Sequence, residues 1–425
     1  MPAVTRQLAR IFPIILLVLG IFSIGLFYNP QPPRPITHNG VQDTFPAKKS
    51  NRKHLFDGNW DYQRDRDNLM LTQDQCSQAF PDLYSEIDRA RDDRKSRLVS
   101  LKELDNIPAR NGYIRAMIYD QQTKLYVLDK QGSIWSRERA TLSAINRAIL
   151  SSPEPLPNIE FAFNTDDSVD RLPLWGYARR AKDKAIWLIP DFGFWSWPET
   201  KAGSTREVQA KAEWAEEEGL TWGNKTAKLL WRGVPKMGPK VRDKLMQVTK
   251  DKPWADVKAL VWDDKDSLQN DYKTMPQHCE YQYVAQTEGN TYSGRLKYLQ
   301  SCRSVIVSHK LDWIQHHYHL MKSSGPEQNF VEVRRDWSDL EETMEHFLSH
   351  DDEAKNIADN SVRTFRERYL TSAAEMCYWR RLIREWKGVL DFEPEFFKLV
   401  DGKKEWRGIP VESFLLMGEV NYDPR

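Results

Sequence analysis

The sequence predicts an α/β protein with two doubly wound domains that face a cleft, preceded by one transmembrane helix. Short β-branched and aromatic runs alternate with helical patterns along most of the chain. This alternation occurs in two series, separated by an acidic, alanine-rich helix near residues 205–219. Strands that alternate with helices form parallel sheets, so two series indicate two domains. An uncharged apolar segment near the N-terminus predicts the membrane helix.

Residues 11–28, IFPIILLVLGIFSIGLFY, approach the roughly 20 apolar residues that a spanning helix needs. Arginines precede this segment and prolines follow it, which predicts a cytosolic tail over 1–10, an anchor over 11–28 and an extended stem over 29–75. The remainder would then be lumenal. A cleaved signal peptide is the alternative, although no small-x-small cleavage site follows the apolar core.

The composition excludes several classes of protein. The 62 basic residues are balanced by 61 acidic ones, whereas nucleic-acid binders and polybasic membrane proteins carry a strong basic excess. A hydrophobic content of 40% excludes a disordered chain. The 16 tryptophans suggest carbohydrate contact, with core packing as the alternative for most of them.

The first series, in a predicted domain over 76–220, opens with paired strands in 113–129. A helix over 137–152 and buried strands at 159–165 and 185–191 follow.

The second series lies in a predicted domain over 221–375. Its strands are KLLWRG, VKALVW, YQYVAQT, SVIVSHK and NFVEVRR, and its helices include VRDKLMQVTK and GRLKYLQSC. A long helix is expected from Asp339 to about Leu370, before a C-terminal helix and tail over 376–425.

The loop EGNTYSGRLK joins a strand to a helix in the second series. Its position at the carboxyl edge of a parallel sheet is where doubly wound folds bind ligands. Gly289 and Gly294 allow close approach to the backbone, and Arg295 adds a bidentate donor. The loop therefore predicts a phosphate site, with a solvated helix start as the alternative.

The stretch CEYQYVAQTEGNTYSGRLKYLQSCRSVIV resembles the C-terminal signature of glycosyltransferase family 90, which includes fungal capsule-associated proteins and protein O-glucosyltransferases. Similar blocks occur in the family's order: CSQAFPDLYSEIDRARD, GYIRAMIYD, IPDFGFWSWPE, LLWRG with VRDKL, and VEVRRDWSDL. The resemblance covers roughly Cys76 to Trp386.

This resemblance implies an inverting, metal-independent transferase of the two-domain GT-B fold. The expected donor is UDP-xylose or UDP-glucose, the acceptor a glycan or glycoprotein, with no cofactor, no metal and no nucleic acid. With the predicted anchor, the expected location is the Golgi membrane, as a single-pass type II protein with a lumenal catalytic domain.

The resemblance also assigns donor-binding roles to Arg232 and Arg295, because the leaving UDP gains negative charge that fixed cations stabilise. An interdomain salt bridge is the alternative for each. Further polar contacts to the donor are expected from Asn290, Ser293, Gly294 and Lys297.

An inverting transfer needs a base to take the acceptor's proton. Asp167, in the loop FNTDDSVD, falls where the family carries its base after an Asn-x-x-Asp pattern. The family usually has a proline two residues later, where this chain has Val169, so Asp166 remains a competitor. The alternative for both residues is a structural role, in which the acidic loop only caps a helix or turn.

The block PDFGFWSWPE offers a sugar-binding surface. The indoles of Trp195 and Trp197 could stack on a sugar ring, and Asp191 and Glu199 could accept from its hydroxyls. Core packing is the alternative for both indoles. No metal site is predicted, because the histidines of HHYHL have no cysteine or carboxylate at ligand spacing.

Four cysteines in a lumenal domain can pair in three ways. Cys279–Cys302 would bracket the loop of Arg295, and the GT-B habit of returning the last helix to the first domain implies Cys76–Cys377. Free, buried Cys76 and Cys377 are the alternative. The sequon at Asn224 fits the same compartment.

Two functional hypotheses remain. One is an anchored glycosyltransferase, and the other is a catalytically inactive relative that binds carbohydrate or a partner protein. The altered residues after Asp167 make the second conceivable, whereas both arginines and the acidic loop favour the enzyme.

Overall fold

The computed structural model describes residues 56–108, 110–120, 124–134, 136–167, 173–261, 264 and 269–420. All of these belong to one compact unit, His54–Arg425. The tail 1–10, the predicted anchor 11–28 and residues 29–55 of the stem lie outside the described residues.

Strands form in both series that the sequence predicts. Their bounds are β1 Tyr113–Tyr119, β2 Lys124–Gln131, β3 Ile159–Asn164, β4 Trp175–Gly176, β5 Trp187–Leu188, β6 Thr226–Gly233, β7 Ala255–Ala259, β8 Tyr281–Gln286, β9 Val305–His309, β10 Val331–Val333, β11 Phe397–Val400, β12 Lys403–Trp406 and β13 Ile409–Pro410.

Helices separate most of these strands. Their bounds are α1 Tyr62–Asp65, α2 Gln73–Ala79, α3 Ser85–Arg94, α4 Leu101–Asp105, α5 Arg137–Leu150, α6 Thr205–Glu217, α7 Pro239–Val248, α8 Met275–His278, α9 Leu296–Leu299, α10 Leu340–Ser349, α11 Asp351–Thr364, α12 Ser372–Gly388 and α13 Val411–Met417.

The first sheet is mixed, in the order β13-β2-β1-β3-β4-β5. The predicted pairing of β1 and β2 is confirmed, and it is antiparallel. The connection between them is too short for the crossover that parallel strands require. β1 is also antiparallel to β3, whereas β3, β4 and β5 are parallel. Only one half of this sheet therefore has the parallel arrangement that the sequence predicts.

The second sheet is entirely parallel, in the order β10-β9-β8-β6-β7. If these five strands are numbered 1 to 5 along the chain, their order across the sheet is 2-1-3-4-5, which is a doubly wound arrangement. The direction of winding reverses between β6 and β8. A ligand is expected in the crevice beyond the carboxyl ends of those two strands. The prediction of an α/β protein is confirmed, with parallel strands throughout the second sheet and in one half of the first.

Two predicted helices differ from the structure. The long helix after Asp339 is divided at His350, where the backbone leaves the helical region. Three acidic residues, Asp351 to Glu353, begin the second segment, and negative charge favours a new helix N-terminus there. The helix after the loop EGNTYSGRLK, called the glycine-framed loop because of Gly289 and Gly294, is a single turn, α9.

Helix α12 packs on the first sheet and closes its core. The indole of Trp386 lies 5.7 Å from that of Trp175 and 5.1 Å from that of Trp187, between ring centroids. These indoles are fully buried, as are those of Trp231, Trp337 and Trp379, so core packing is the correct interpretation for them.

Both predicted disulfides are present. The Cα atoms are 5.6 Å apart in Cys76–Cys377 and 4.8 Å apart in Cys279–Cys302. The first links α2 to α12, and the second links the residue after α8 to the residues after α9.

The prediction of a single-pass Golgi membrane protein is contradicted. Across the described residues, every helix is too short or too polar to cross a bilayer. Residues 56–75, assigned to an extended stem, pack on the body: Phe56 is buried and Trp60 donates from its indole N–H to the carbonyl of Glu367, at 2.8 Å.

Candidate active site

A cavity of about 460 Å³ lies at the carboxyl ends of β6 and β8, as the strand order predicts. The second sheet contributes Arg232 and Gly233 from β6 and the loop that follows β8. Loops of the first sheet form the opposite wall, with Asp167, Phe192 and Trp197. Residues distant in sequence thus surround one space, and its walls combine aromatic rings, cations and two carboxylates.

Asp167 lines this cavity just beyond the end of β3. Its Oδ1 accepts a hydrogen bond from Nη1 of Arg137 at 2.9 Å, and Arg137 also donates to the carbonyl of Thr165 at 3.0 Å. The Asp167 side chain is 34% exposed. An oriented, partly exposed carboxylate facing a cavity is the geometry that a general base requires.

Asp166 faces elsewhere. Its backbone N–H donates to Oδ1 of Asn164 at 2.6 Å, and its own Oδ1 accepts from the N–H of Asp167 at 2.7 Å. Asp166 lines a small adjoining pocket but not the main cavity. These local bonds shape the turn that presents Asp167, a recurrent role of Asn and Asp side chains.

The glycine-framed loop contributes Asn290, Ser293, Gly294 and Arg295 to the cavity wall. At Gly294, an added Cβ would lie 3.2 Å from the ring of Trp197, so glycine permits the loop to lie against that indole. Among the described residues, no hydrogen bond or ion pair to the Arg295 guanidinium is present. Burial, together with a second arginine nearby, lowers the pKa of Arg295 to about 9.

That second arginine is Arg242, on α7, which the sequence analysis did not single out. Its Nε donates to the carbonyl of Glu288 at 3.0 Å and its Nη1 to the carbonyl of Val234 at 2.9 Å. Within the described part of the chain it has no carboxylate partner, and burial lowers its pKa to about 10. The sequence could have indicated Arg242, because this residue lies in the block VRDKL on the helix that follows β6.

Arg232 lines the cavity, but protein acceptors hold most of its guanidinium. Nη2 forms an ion pair with Oδ1 of Asp256 at 2.7 Å, while Nη1 and Nε donate to carbonyls that include those of Asp256 and Asp271. This salt bridge joins adjacent strands β6 and β7 of the second sheet, so it is not the interdomain salt bridge considered as the alternative. Its donor-binding role stays a prediction.

Lys297, predicted to contact the donor, and Asp191, predicted to line the sugar-binding cleft, contact each other. Nζ of Lys297 lies 2.7 Å from Oδ1 of Asp191, and both side chains are almost completely buried. Lys297 also donates to the carbonyl of Gly294 at 2.6 Å. The pair therefore connects the loop of Arg295 to the first-sheet wall, without reaching the cavity surface.

The remaining predicted cleft residues divide between the cavity and the surface. Trp197 and Glu199 line the cavity, and Glu199 accepts from the N–H and hydroxyl of Ser136 at 2.8 and 3.0 Å. Trp195 lies outside it, with its ring 4.8 Å from the Arg147 guanidinium. The core interpretation does not apply to Trp195, which is 36% exposed.

Comparisons with known proteins identify relatives of this chain. A protein named O-glucosyltransferase rumi homolog, from Aedes aegypti, is 28% identical over 255 residues, which cover 56% of this chain and 58% of the relative. Protein O-glucosyltransferase 1 from Homo sapiens is 23% identical over 281 residues, covering 59% of this chain and 67% of the relative. The chain thus matches less than two thirds of the mosquito relative's length.

A family-level comparison covers more of the chain. The sequence pattern described as glycosyl transferase family 90 matches residues 71–401. This range contains the second sheet, the first sheet except β13, and every residue placed in the cavity above. The chain belongs to glycosyl transferase family 90.

Proposed function

We propose that this protein is a glycosyltransferase that moves a sugar from a UDP-sugar to a hydroxyl of a glycan or glycoprotein, with inversion and without a metal ion. In this proposal the two sheets are the Rossmann-like halves of a GT-B fold. The sugar comes from the donor bound in the cavity, and the acceptor approaches from the side of Asp167.

One observation carries the proposal: Arg242 and Arg295 line the same cavity as Asp167, and neither arginine has a carboxylate partner among the described residues. Two desolvated cations that repel each other are costly to fold. A bound diphosphate would offset that cost by supplying the missing negative charge, since guanidinium groups bind phosphate oxygens bidentately.

The same arrangement supports an inverting transfer. Asp167 would take the proton of the acceptor hydroxyl as its oxygen attacks the anomeric carbon. The bond from that carbon to the UDP oxygen breaks on the opposite face, and Arg242 and Arg295 stabilise the charge that develops on the diphosphate. Trp197, on the cavity wall, would contact the sugar ring.

The names of the relatives favour glucose over xylose as the transferred sugar, and a protein as the acceptor. The presence of Asp167 in the cavity favours an enzyme over an inactive binding protein.

The test is UDP release by the purified full-length chain, supplied separately with UDP-glucose and UDP-xylose in the presence of a chelator. We expect release from at least one donor, faster with UDP-glucose, and loss of that release in Asp167→Asn. Release equal to the spontaneous rate with both donors, despite UDP binding, would favour the inactive relative.

A further inference from the structure

His278, at the end of α8, has two ring nitrogens in different situations. Nδ1 lies 2.8 Å from the carbonyl oxygen of Thr274, which only accepts, so Nδ1 carries the proton and donates. Nε2 is then an acceptor. It is buried and has no hydrogen-bond partner among the described residues, although the side chain lines the cavity.

Burial disfavours the charged form of this imidazole. The residue is 2% exposed, and burial together with the positive charge of Arg295 lowers the pKa of His278 to about 3. Near neutral pH the ring is therefore uncharged, and Nε2 presents a lone pair rather than a proton.

The part of the cavity around His278 differs from the part around Asp167. It is built from Leu260, which follows β7, and from Tyr272 and Met275, which precede His278 along the chain. The N–H of Leu260 donates to the carbonyl of Gly233 at 2.7 Å, and Nε of Arg232 donates to the carbonyl of Asp271 at 2.7 Å. These bonds fix the wall to the ends of β6 and β7. The apolar and aromatic faces of Leu260, Tyr272 and Met275 suit a nucleoside. Lys273 also lines the cavity, and its charge and those of Arg232 and Arg295 act on His278, so the phosphate of a bound nucleotide would lie nearby.

We propose that Nε2 of His278 accepts a hydrogen bond from an O–H or N–H group of the donor's nucleoside, and that this contact selects which nucleotide the cavity binds. The inference rests on the proposed function, because it requires a nucleotide in this cavity. A buried acceptor left unpaired in the complex disfavours any ligand without a matching donor group.

Two substitutions in the full-length chain test this role by titration calorimetry with UDP. His278→Leu removes the acceptor and should weaken UDP binding at least about tenfold. His278→Gln can present an amide oxygen and should bind within a few-fold of the unaltered protein. Equal UDP affinity in the unaltered and leucine proteins would overturn the proposal.

Nucleotide analogues identify the donor group and do not depend on how the variants fold. The unaltered protein is titrated with 2′-deoxy-UDP, 3′-deoxy-UDP and N3-methyl-UDP, which remove a ribose hydroxyl or the base N–H. We expect one analogue to bind at least about tenfold more weakly than UDP, and His278→Leu to lose that discrimination. Analogue affinities all equal to that of UDP would overturn the proposal.

The failure of the proposed function has a different signature. Absence of UDP binding by the unaltered protein would refute the nucleotide site as a whole, and the role of His278 with it. UDP binding that ignores both the analogues and His278→Leu would refute the role of His278 alone.

Discussion

Asp167 and Asp166 are neighbours with the same chemistry, and only their positions separate their proposed roles. We expect Asp167→Asn to lower turnover by roughly 10²–10⁴-fold while UDP affinity stays within a few-fold, since a base acts only in the chemical step. Asp166→Asn is the matched control, because its amide oxygen can still accept from the N–H of Asp167. Steady-state kinetics with a parallel UDP titration measure both. Near-normal turnover in Asp167→Asn with loss in Asp166→Asn would reverse the assignment.

We expect the Arg295 guanidinium to lower the stability of the ligand-free protein and to strengthen the binding of UDP. Its pKa is lowered to about 9, so the folded protein disfavours the charged guanidinium that the unfolded chain carries at neutral pH. Arg295→Met should therefore raise the thermal midpoint of the ligand-free protein while weakening UDP binding at least about tenfold.

The matched control for that substitution is Arg97→Met, at a side chain that is 75% exposed and paired with Glu103. It should leave UDP affinity unchanged and the midpoint nearly so. Thermal unfolding with and without UDP measures both quantities. A lower midpoint in ligand-free Arg295→Met would show that Arg295 stabilises the fold through contacts, against the proposed phosphate role.

At the scale of elements, the two disulfides should differ in what they support. On the chain-entropy model, Cys76–Cys377, with a sequence separation of 301, contributes roughly 6 kcal/mol at most, and Cys279–Cys302, with a separation of 23, roughly 3 kcal/mol. Yet Cys279 follows His278 directly, and Cys302 lies just after α9.

We therefore expect the double serine variant at Cys279 and Cys302 to lose more UDP affinity than the one at Cys76 and Cys377, although it should lose less stability. Denaturant unfolding and UDP titration of the two variants provide the comparison. A larger loss of affinity in the Cys76 and Cys377 variant would contradict a local role for Cys279–Cys302.

The sequence predicted many of these elements because their signals are local. The alternation of strands and helices, the hairpin of β1 and β2, and the acidic loop after β3 all arise from contiguous residues. Contacts between distant residues gave no such signal. From its sequence block Lys297 is predicted to contact the donor, and only the fold shows that it is buried in an ion pair with Asp191. Likewise, the antiparallel half of the first sheet could not be predicted, because it depends on which strands are neighbours, and hydrophobic periodicity does not encode strand order.

At the scale of the whole molecule, buried histidines make stability depend on pH. Burial lowers the pKa of His317 to about 3 and that of His309 to about 4. In the unfolded chain each would titrate near 6.5. As the pH falls below about 6.5 the unfolded chain binds protons that the folded protein excludes, so stability is lost from there down to the folded pKa.

Carboxyl groups with a raised pKa have the opposite effect on stability as the pH falls, notably Glu213, whose pKa burial raises to about 7.

A single-site comparison isolates the histidine effect. His317→Asn should flatten the fall in unfolding free energy between pH 6.5 and 5 by up to about 1.4 kcal/mol per pH unit. His350→Asn, at an exposed position, should leave that slope unchanged. Denaturant unfolding at several pH values measures the dependence of the unfolding free energy on pH. Equal slopes in the unaltered protein, His317→Asn and His350→Asn would show that His317 is not buried in its neutral form.

The proposed function requires that Arg242 and Arg295 hold a diphosphate without a metal ion, and titration of the full-length protein with UDP in a strong chelator tests this requirement. We expect saturable binding of one UDP per chain, unchanged by the chelator, competed by UDP-glucose and lost in a protein carrying both Arg242→Met and Arg295→Met. Binding that appears only after manganese is restored, or that survives loss of both arginines, would contradict it.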